Sequence, residues 1–218
     1  VAVATRRWAV LNPRAFMMPP LTVGDVLSGR MCCYPMLLLD CCLRLDAGGA
    51  LVLVRADRAR DFPKPPVWLL GSGEGVGHWN ISQARDLTTS DQSTQAARRA
   101  FAMAGLTHGD IDHVMMYDAF TFSPLIGLED CGFVPRGESG PFIEDMKTAP
   151  GGTFPMNTNG GGLSYCHTGM YGMFAIQEGV RQLRGGESGE RQVDCRTSLI
   201  HGPGGYFSAG SVLILGKD

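Results

Sequence analysis

Three short stretches hold the residues whose types and spacing could do chemistry. They are Tyr117 and Asp118 in "YDAF", Tyr165, Cys166 and His167 in "NTNGGGLSYCHTGMYG", and His201 in "HGPGGYFSAG". The Tyr117 phenol could donate to a developing oxyanion or move a proton; a half-buried tyrosine with a satisfied hydroxyl is the plainer reading. Asp118 suits a cap on the helix that follows it, or it orients a neighbour. His167 comes after Gly160, Gly161 and Gly162 and before a helical pattern. Free backbone N–H groups and the helix dipole would favour negative charge there, and a neutral imidazole could serve as base or oxyanion donor. A structural histidine in a turn is the alternative. Tyr165 could share that pocket, and Cys166 would gain acidity from the helix end, although adjacent side chains diverge. His201 is placed in a turn with Gly202, Gly204 and Gly205, which would let the backbone approach a ligand closely. A hairpin turn with an incidental histidine fits the same residues.

These residues need elements to position them. Residues 1–31 read as a helix, a Pro-interrupted loop and a short helix ending near Gly29. A turn is expected at Asp46 to Gly49, then a strand from Ala50 to Val54 apolar enough to be covered on both faces. "DFPKPP", Asp61 to Pro66, reads as a linker, because its prolines stop helices and favour an extended path. A short strand, Val67 to Leu70, runs into "GSGEGVG", which resembles a phosphate-cradling loop only superficially, because no clean helix opens at its last glycine. Ser90 caps a helix reaching about Ala104, with Ala96, Ala97, Ala100, Phe101 and Ala104 on one face, and Gly105 closes it. A strand follows at about His113 to Tyr117 and a helix near Ser123 to Cys131. Met173, Ile176, Val180 and Leu183 mark another helix, with Arg181 and Arg184 in its last turn. Two strands, about Gln192 to Ile200 and Ser208 to Leu215, end the chain and are antiparallel if "HGPGGY" is their turn. The order implies an α/β protein, a mixed sheet with helices on both faces.

Composition narrows the class further. The 218 residues carry a net charge of -2, so no basic field points to nucleic acid or anionic membrane. No apolar run approaches the ~20 residues of a membrane span. The seven cysteines are odd in number and include no C-x-x-C, which supports neither a disulfide framework nor a zinc site. They read as reduced thiols of a cytoplasmic protein, mostly small core residues. The opening at Val1 reads like the middle of a longer chain.

"PMLLLDCCLRLDAGGALVLV", "YDAF", "NTNGGGLSYCHTGMYG" and "HGPGGYFSAGSVLIL", in this order, resemble the thiolase superfamily. The branch resembled is that of the thiolase-like lipid-transfer proteins, related to the thiolase part of sterol carrier protein X. The resemblance implies two similar α/β halves stacked in five layers. Residues 67–218 resemble a complete C-terminal half, 61–66 the linker, and 1–60 the end of the N-terminal half. The family's nucleophilic cysteine belongs upstream of Val1, and none of the seven cysteines matches it. His167 matches the "GHP" histidine that activates the nucleophile and binds the thioester oxygen, with Cys166 and Thr168 replacing Gly and Pro. Tyr117 falls where thiolases carry the Asn of "NEAF", and His201 where they carry the second, acid/base cysteine.

That last replacement puts ordinary thiolysis in doubt. The related steroid side-chain retro-aldolases use tyrosines in such a pocket, which Tyr117 and Tyr165 resemble, and they work with a small OB-fold partner. The resemblance therefore implies an acyl-CoA enzyme making or breaking a C–C bond beside the thioester, an acyltransferase of the acetyl-CoA acyltransferase or lipid-transfer type, with retro-aldol cleavage of a 3-hydroxyacyl-CoA as the alternative. Coenzyme A would enter as part of the substrate, with no other cofactor and no metal. His167, Tyr117, His201 and Tyr165 are the expected catalytic groups. Gly160, Gly161, Gly162, Gly204 and Gly205 are the expected substrate-binding turns. A homodimer is implied. A non-catalytic acyl-CoA or lipid-binding subunit is the rival from another class.

Overall fold

The computed structural model describes all residues from Val1 to Asp218. In chain order the elements are helices α1 (Ala2–Val10) and α2 (Val23–Leu27), strands β1 (Met31–Cys33) and β2 (Met36–Leu37), and strand β3 (Trp68–Val76). Helix α3 (Asp91–Ala104), strand β4 (His113–Met116), and helices α4 (Phe122–Asp130), α5 (Ser139–Glu144) and α6 (Gly172–Arg184) follow. Strands β5 (Thr197–Gly204) and β6 (Ala209–Gly216) close the chain.

The main sheet has the order β3-β6-β5-β4. β3 and β5 each run antiparallel to β6, and β4 runs parallel to β5. Alternation along the strands sends side chains to two separate cores. Val114, Met116, Leu199, Val212 and Ile214 join Ala96, Ala97, Ala100 and Leu128 of α3 and α4 on one face. Met115, Ile200 and Leu215 join Phe174, Ala175 and Leu183 of α6 on the other. The mixed sheet with helices on both faces is thus the fold observed.

The contact between α3 and β3 explains the glycine run. Ser90 Oγ accepts from Ser93 N at the helix start, and Gly105 ends it at φ +66°. A Cβ at Gly71 or Gly73 would strike the carbonyl oxygens of Ala100 or Ala96, and one at Gly75 would lie 2.5 Å from that of Gln92. Alternate glycines on β3 facing small residues on α3 let helix and strand approach far more closely than side chains would permit. "GSGEGVG" is therefore the body of β3, which continues to Val76 instead of stopping at Leu70.

Several expectations are corrected. Asp46 to Gly49 form no turn, and Ala50 to Val54 form no strand. Val52 and Leu53 are 82% and 86% exposed, because no other segment of the chain offers this stretch a ladder. The residues before it instead make an irregular strap. Cys42 N donates to Ala119 O (2.9 Å), Leu43 N to Gly162 O (3.0 Å) and Leu45 N to His167 O (3.2 Å). The ladder between β5 and β6 runs on through His201–Gly204, with His201 opposite Val212, so "HGPGGY" begins as strand and only its end is turn. The last two strands are antiparallel as expected, the first lying four to five residues later than its expected bounds and the second one residue later. Of the cysteines, Cys131, Cys166 and Cys195 are buried, whereas Cys32 and Cys33 are exposed.

Candidate active site

Tyr117 leaves the end of β4, and its amide donates to His201 O (3.2 Å). It continues the alternation of His113 and Met115, so its ring packs on the α6 side of the sheet. His167 meets it there edge-on, with ring centroids 5.4 Å apart. Tyr171, which precedes α6, lies nearly parallel to His167 at 5.9 Å and edge-on to Tyr117 at 5.3 Å. The three rings form one cluster, the geometry aromatic quadrupoles favour.

A tight π-helical turn, Gly161–Tyr165, carries the chain to His167. Fully buried Asp118 anchors it, its carboxylate accepting from Gly162 N (2.6 Å) and Leu163 N (3.3 Å). Asn159 Oδ1 accepts from Gly161 N (2.8 Å) and from the Tyr171 hydroxyl (3.1 Å). Helix α1 and the turn after it close the outside: Arg6 Nε of α1 donates to Ser164 Oγ (2.7 Å), and Asn12 Nδ2, just beyond α1, donates to Asn159 O (2.7 Å). Beneath the turn lies a buried polar layer. Thr158 Oγ1 donates to Glu178 (2.8 Å), and Glu178 is paired with Arg191.

Burial sets the protonation states. It raises the Tyr117 phenol, with Cys42 and Asp118 nearby adding to the effect, so the phenol is neutral at pH 7. It lowers His167, so the imidazole is neutral as well. Burial pushes Asp118 up to about 7, against the opposing pull of the Gly162 and Leu163 amides. The pair at the site is therefore a neutral O–H donor beside a neutral nitrogen base.

A cleft of about 880 Å³ opens over Tyr117. Val76, Leu87, Phe120, Phe122 and Met170 supply apolar walls, and the hairpin tip Gly204, Gly205, Tyr206 and Phe207 forms a rim. Phe120 and Phe122 stack with their planes 4° apart. His167 stands behind Tyr117, its Nε2 buried and not hydrogen-bonded to protein.

The fold thus brings together Tyr117 and His167, with Gly204 and Gly205 on the cleft rim, but not the other expected residues. His201 points to the opposite face of the sheet, where Nε2 pairs with Ser93 Oγ (2.9 Å) and burial lowers its pKa to about 4. It alternates with Ile200, so it cannot share Tyr117's face. Tyr165 sets its ring edge-on to Phe174 at 6.3 Å and does not line the cleft. Gly160, Gly161 and Gly162 are buried and closely packed by neighbours. A Cβ would meet Ala9 Cβ at 2.7 Å from Gly160, the Asp118 carboxylate from Gly161, and His167 Cδ2 at 2.7 Å from Gly162.

The helix-end argument for His167 and Cys166 also fails, because α6 begins only at Gly172. Burial raises the Cys166 thiol. Asp118 caps the glycine turn and not the following helix. Tyr171 and Asn159 were missed as site residues, though both lie inside the "NTNGGGLSYCHTGMYG" stretch.

Fold and comparison together define an α/β protein with the thiolase-like C-terminal domain fold. The family model described as "Thiolase C-terminal domain-like" matches residues 73–217, and the chain belongs to that family. An "Acetyl-CoA acetyltransferase" of Methanothermobacter thermautotrophicus is 37% identical over 100% of this chain and 57% of its own length. A "Steroid side-chain-cleaving aldolase" of Thermomonospora curvata is 38% identical over 100% of this chain and 56% of its own. The solved "Ltp2-ChsH2(DUF35) aldolase" superposes with a TM-score of 0.92 at 36% identity, covering 100% of this chain and 57% of that one. The chain therefore spans about half the length of the relatives it matches. No helix is long and apolar enough to cross a membrane.

Proposed function

We propose that the whole protein breaks or makes a C–C bond beside an acyl-CoA thioester, and that retro-aldol cleavage of a 3-hydroxyacyl-CoA is the reaction it suits. The observation that carries this reading is the neutral Tyr117 phenol at the cleft, edge-on to the neutral His167 imidazole. In a retro-aldol step the base takes the β-hydroxyl proton and the Cα–Cβ bond breaks. The β-carbon leaves as a carbonyl, and the electron pair passes into the thioester enolate, which is then protonated at Cα. Tyr117, on the cleft, is the donor that steadies the enolate oxygen; the base role is assigned to His167, which stands behind Tyr117 and, like Tyr165, outside the cleft lining. Neither task calls for a thiol. The aldolase and lyase names among the relatives support this reading, and the acetyltransferase name supports thiolysis as its rival.

A second polypeptide is proposed as partner, on the two components named for the solved aldolase. We also propose that the protein works as a homodimer.

The test uses the full-length protein with a 3-hydroxyacyl-CoA and a 3-ketoacyl-CoA, with and without free coenzyme A. Cleavage of the first without added coenzyme A is expected. Turnover of the second alone, dependent on coenzyme A, refutes the retro-aldol reading. Tyr117→Phe keeps the ring cluster but removes the donor, and a loss of about 10²–10⁴-fold in kcat is expected.

A further inference from the structure

We propose that Asp118 is a positioning residue: its carboxylate grips the turn Gly161–Tyr165 and thereby sets the seat of the His167 ring against Tyr117. The role of His167 toward substrate rests on the function proposed above, but the mechanical coupling does not. Asp118 is fully buried and holds two successive amides, Gly162 N at 2.6 Å and Leu163 N at 3.3 Å. Gly162 is the shared point of contact. The position a Cβ would take there lies 2.7 Å from His167 Cδ2 and 3.1 Å from Asp118 O. Any displacement of the Gly162 backbone is therefore felt by the imidazole directly. Gly161, at φ +62°, admits the carboxylate where a side chain would sit. Nothing in helix α4 needs Asp118, which leaves the turn as its structural purpose.

The titratable groups facing Asp118 come from three elements. They are Cys42 from the strap, Tyr117 at its own strand end and Tyr171 before α6, all held above their usual pKa values, chiefly by burial. The His167 imidazole, across Gly162, is lowered away from it. When the carboxylate is protonated, one acceptor oxygen becomes a hydroxyl, and the two amides lose part of their grip.

The experiment is an NMR pH titration of this chain from about pH 4 to 9, following the Gly162 amide and the His167 ring, the latter assigned with His167→Gln. In the wild type, both signals should move with one midpoint close to that of Asp118, about 7, separate from the His167 ring's own protonation at lower pH. In D118N that shared transition should vanish and the His167 ring signals should shift at every pH. D118E, which keeps a carboxylate, should restore part of the transition. A His167 ring that ignores the Gly162 transition, or a transition that survives in D118N, overturns the proposal. If D118N does not fold, the wild-type titration decides alone. In the full-length protein, D118N should lower kcat about 10–100-fold with KM little changed, as a misplaced catalytic group does. The NMR coupling stands or falls without turnover, so failure of the positioning role is separable from failure of the proposed reaction.

Discussion

Gly162→Ala pushes most directly on the His167 ring, with a lesser push on Asp118, whose O and Oδ1 would lie 3.1 and 3.2 Å from the added Cβ. Gly162 does not sit at positive φ, so alanine brings no left-handed strain, and its effect is purely one of space. The added Cβ would lie 2.7 Å from His167 Cδ2, whereas ordinary contact begins at 3.4 Å. The ring or the turn must therefore yield by about 0.7 Å, taken as the difference of those two distances.

The turn resists, because Asp118, Asn159 and α1 all hold it. The ring is freer, since its Nε2 has no protein partner. The imidazole should therefore move. Overpacking of this size costs about 1–3 kcal/mol. For a chain of this length, each kcal/mol lowers Tm by about 2–4 °C. A displacement approaching 1 Å at a catalytic group costs up to about 10²-fold in rate.

The expected outcome in full-length protein is a kcat reduced about 10–100-fold, with a Tm fall of a few degrees by calorimetry. The His167–Tyr117 edge contact, read as ring-current shifts in NMR, should weaken. Wild-type kcat together with a displaced His167 signal would remove His167 from the mechanism. Wild-type kcat with an unmoved signal would refute the rigidity of the turn.

Two further predictions test the fold. Gly73→Ala drives a Cβ into the Ala96 carbonyl; overpacking of about 1–3 kcal/mol, less the ~0.5–1 kcal/mol by which alanine exceeds glycine in a strand, leaves a net loss of about 0.5–2 kcal/mol, read as a lower urea midpoint. His201 is held down to about 4 by burial, so between pH 4 and 6.5 the unfolded chain binds the proton that the native state excludes. Its contribution therefore makes stability rise with pH through that window and stay level above it. H201Q should flatten the rise by up to ~1.4 kcal/mol per pH unit, and an unchanged slope in urea titrations would contradict the buried neutral imidazole.

Much of the architecture was legible in local sequence. The Ser90 cap, the alanine face and Gly105 marked α3, because caps and periodicity act over a few residues. The apolar periodicity and terminal arginines of α6 did the same. Ala50–Val54 was misread for the converse reason: apolar β-branched residues make a strand only when another segment supplies hydrogen bonds. The glycines of β3 read as the end of the strand at Leu70, since their purpose lies in α3, some twenty residues or more away and invisible to spacing.

The site divides along the same line. Residue types and local pattern were enough for the α/β class, for the "YDAF" and "NTNGGGLSYCHTGMYG" stretches, and for His167, Tyr117, His201 and Tyr165 as the residues to watch. Which of these candidates come together depends on how distant segments fold onto one another. The two-residue period of β5 and its register against β4 and β6 send His201 to the far face. The turn Gly161–Tyr165 directs Tyr165 to Phe174 while His167 returns to Tyr117. Burial, a property of the whole fold, shifts Asp118 and keeps the phenol and imidazole neutral. Residue type and spacing specify which chemistry is available, whereas facing, distance and desolvation arise only when segments far apart in the chain close on one another.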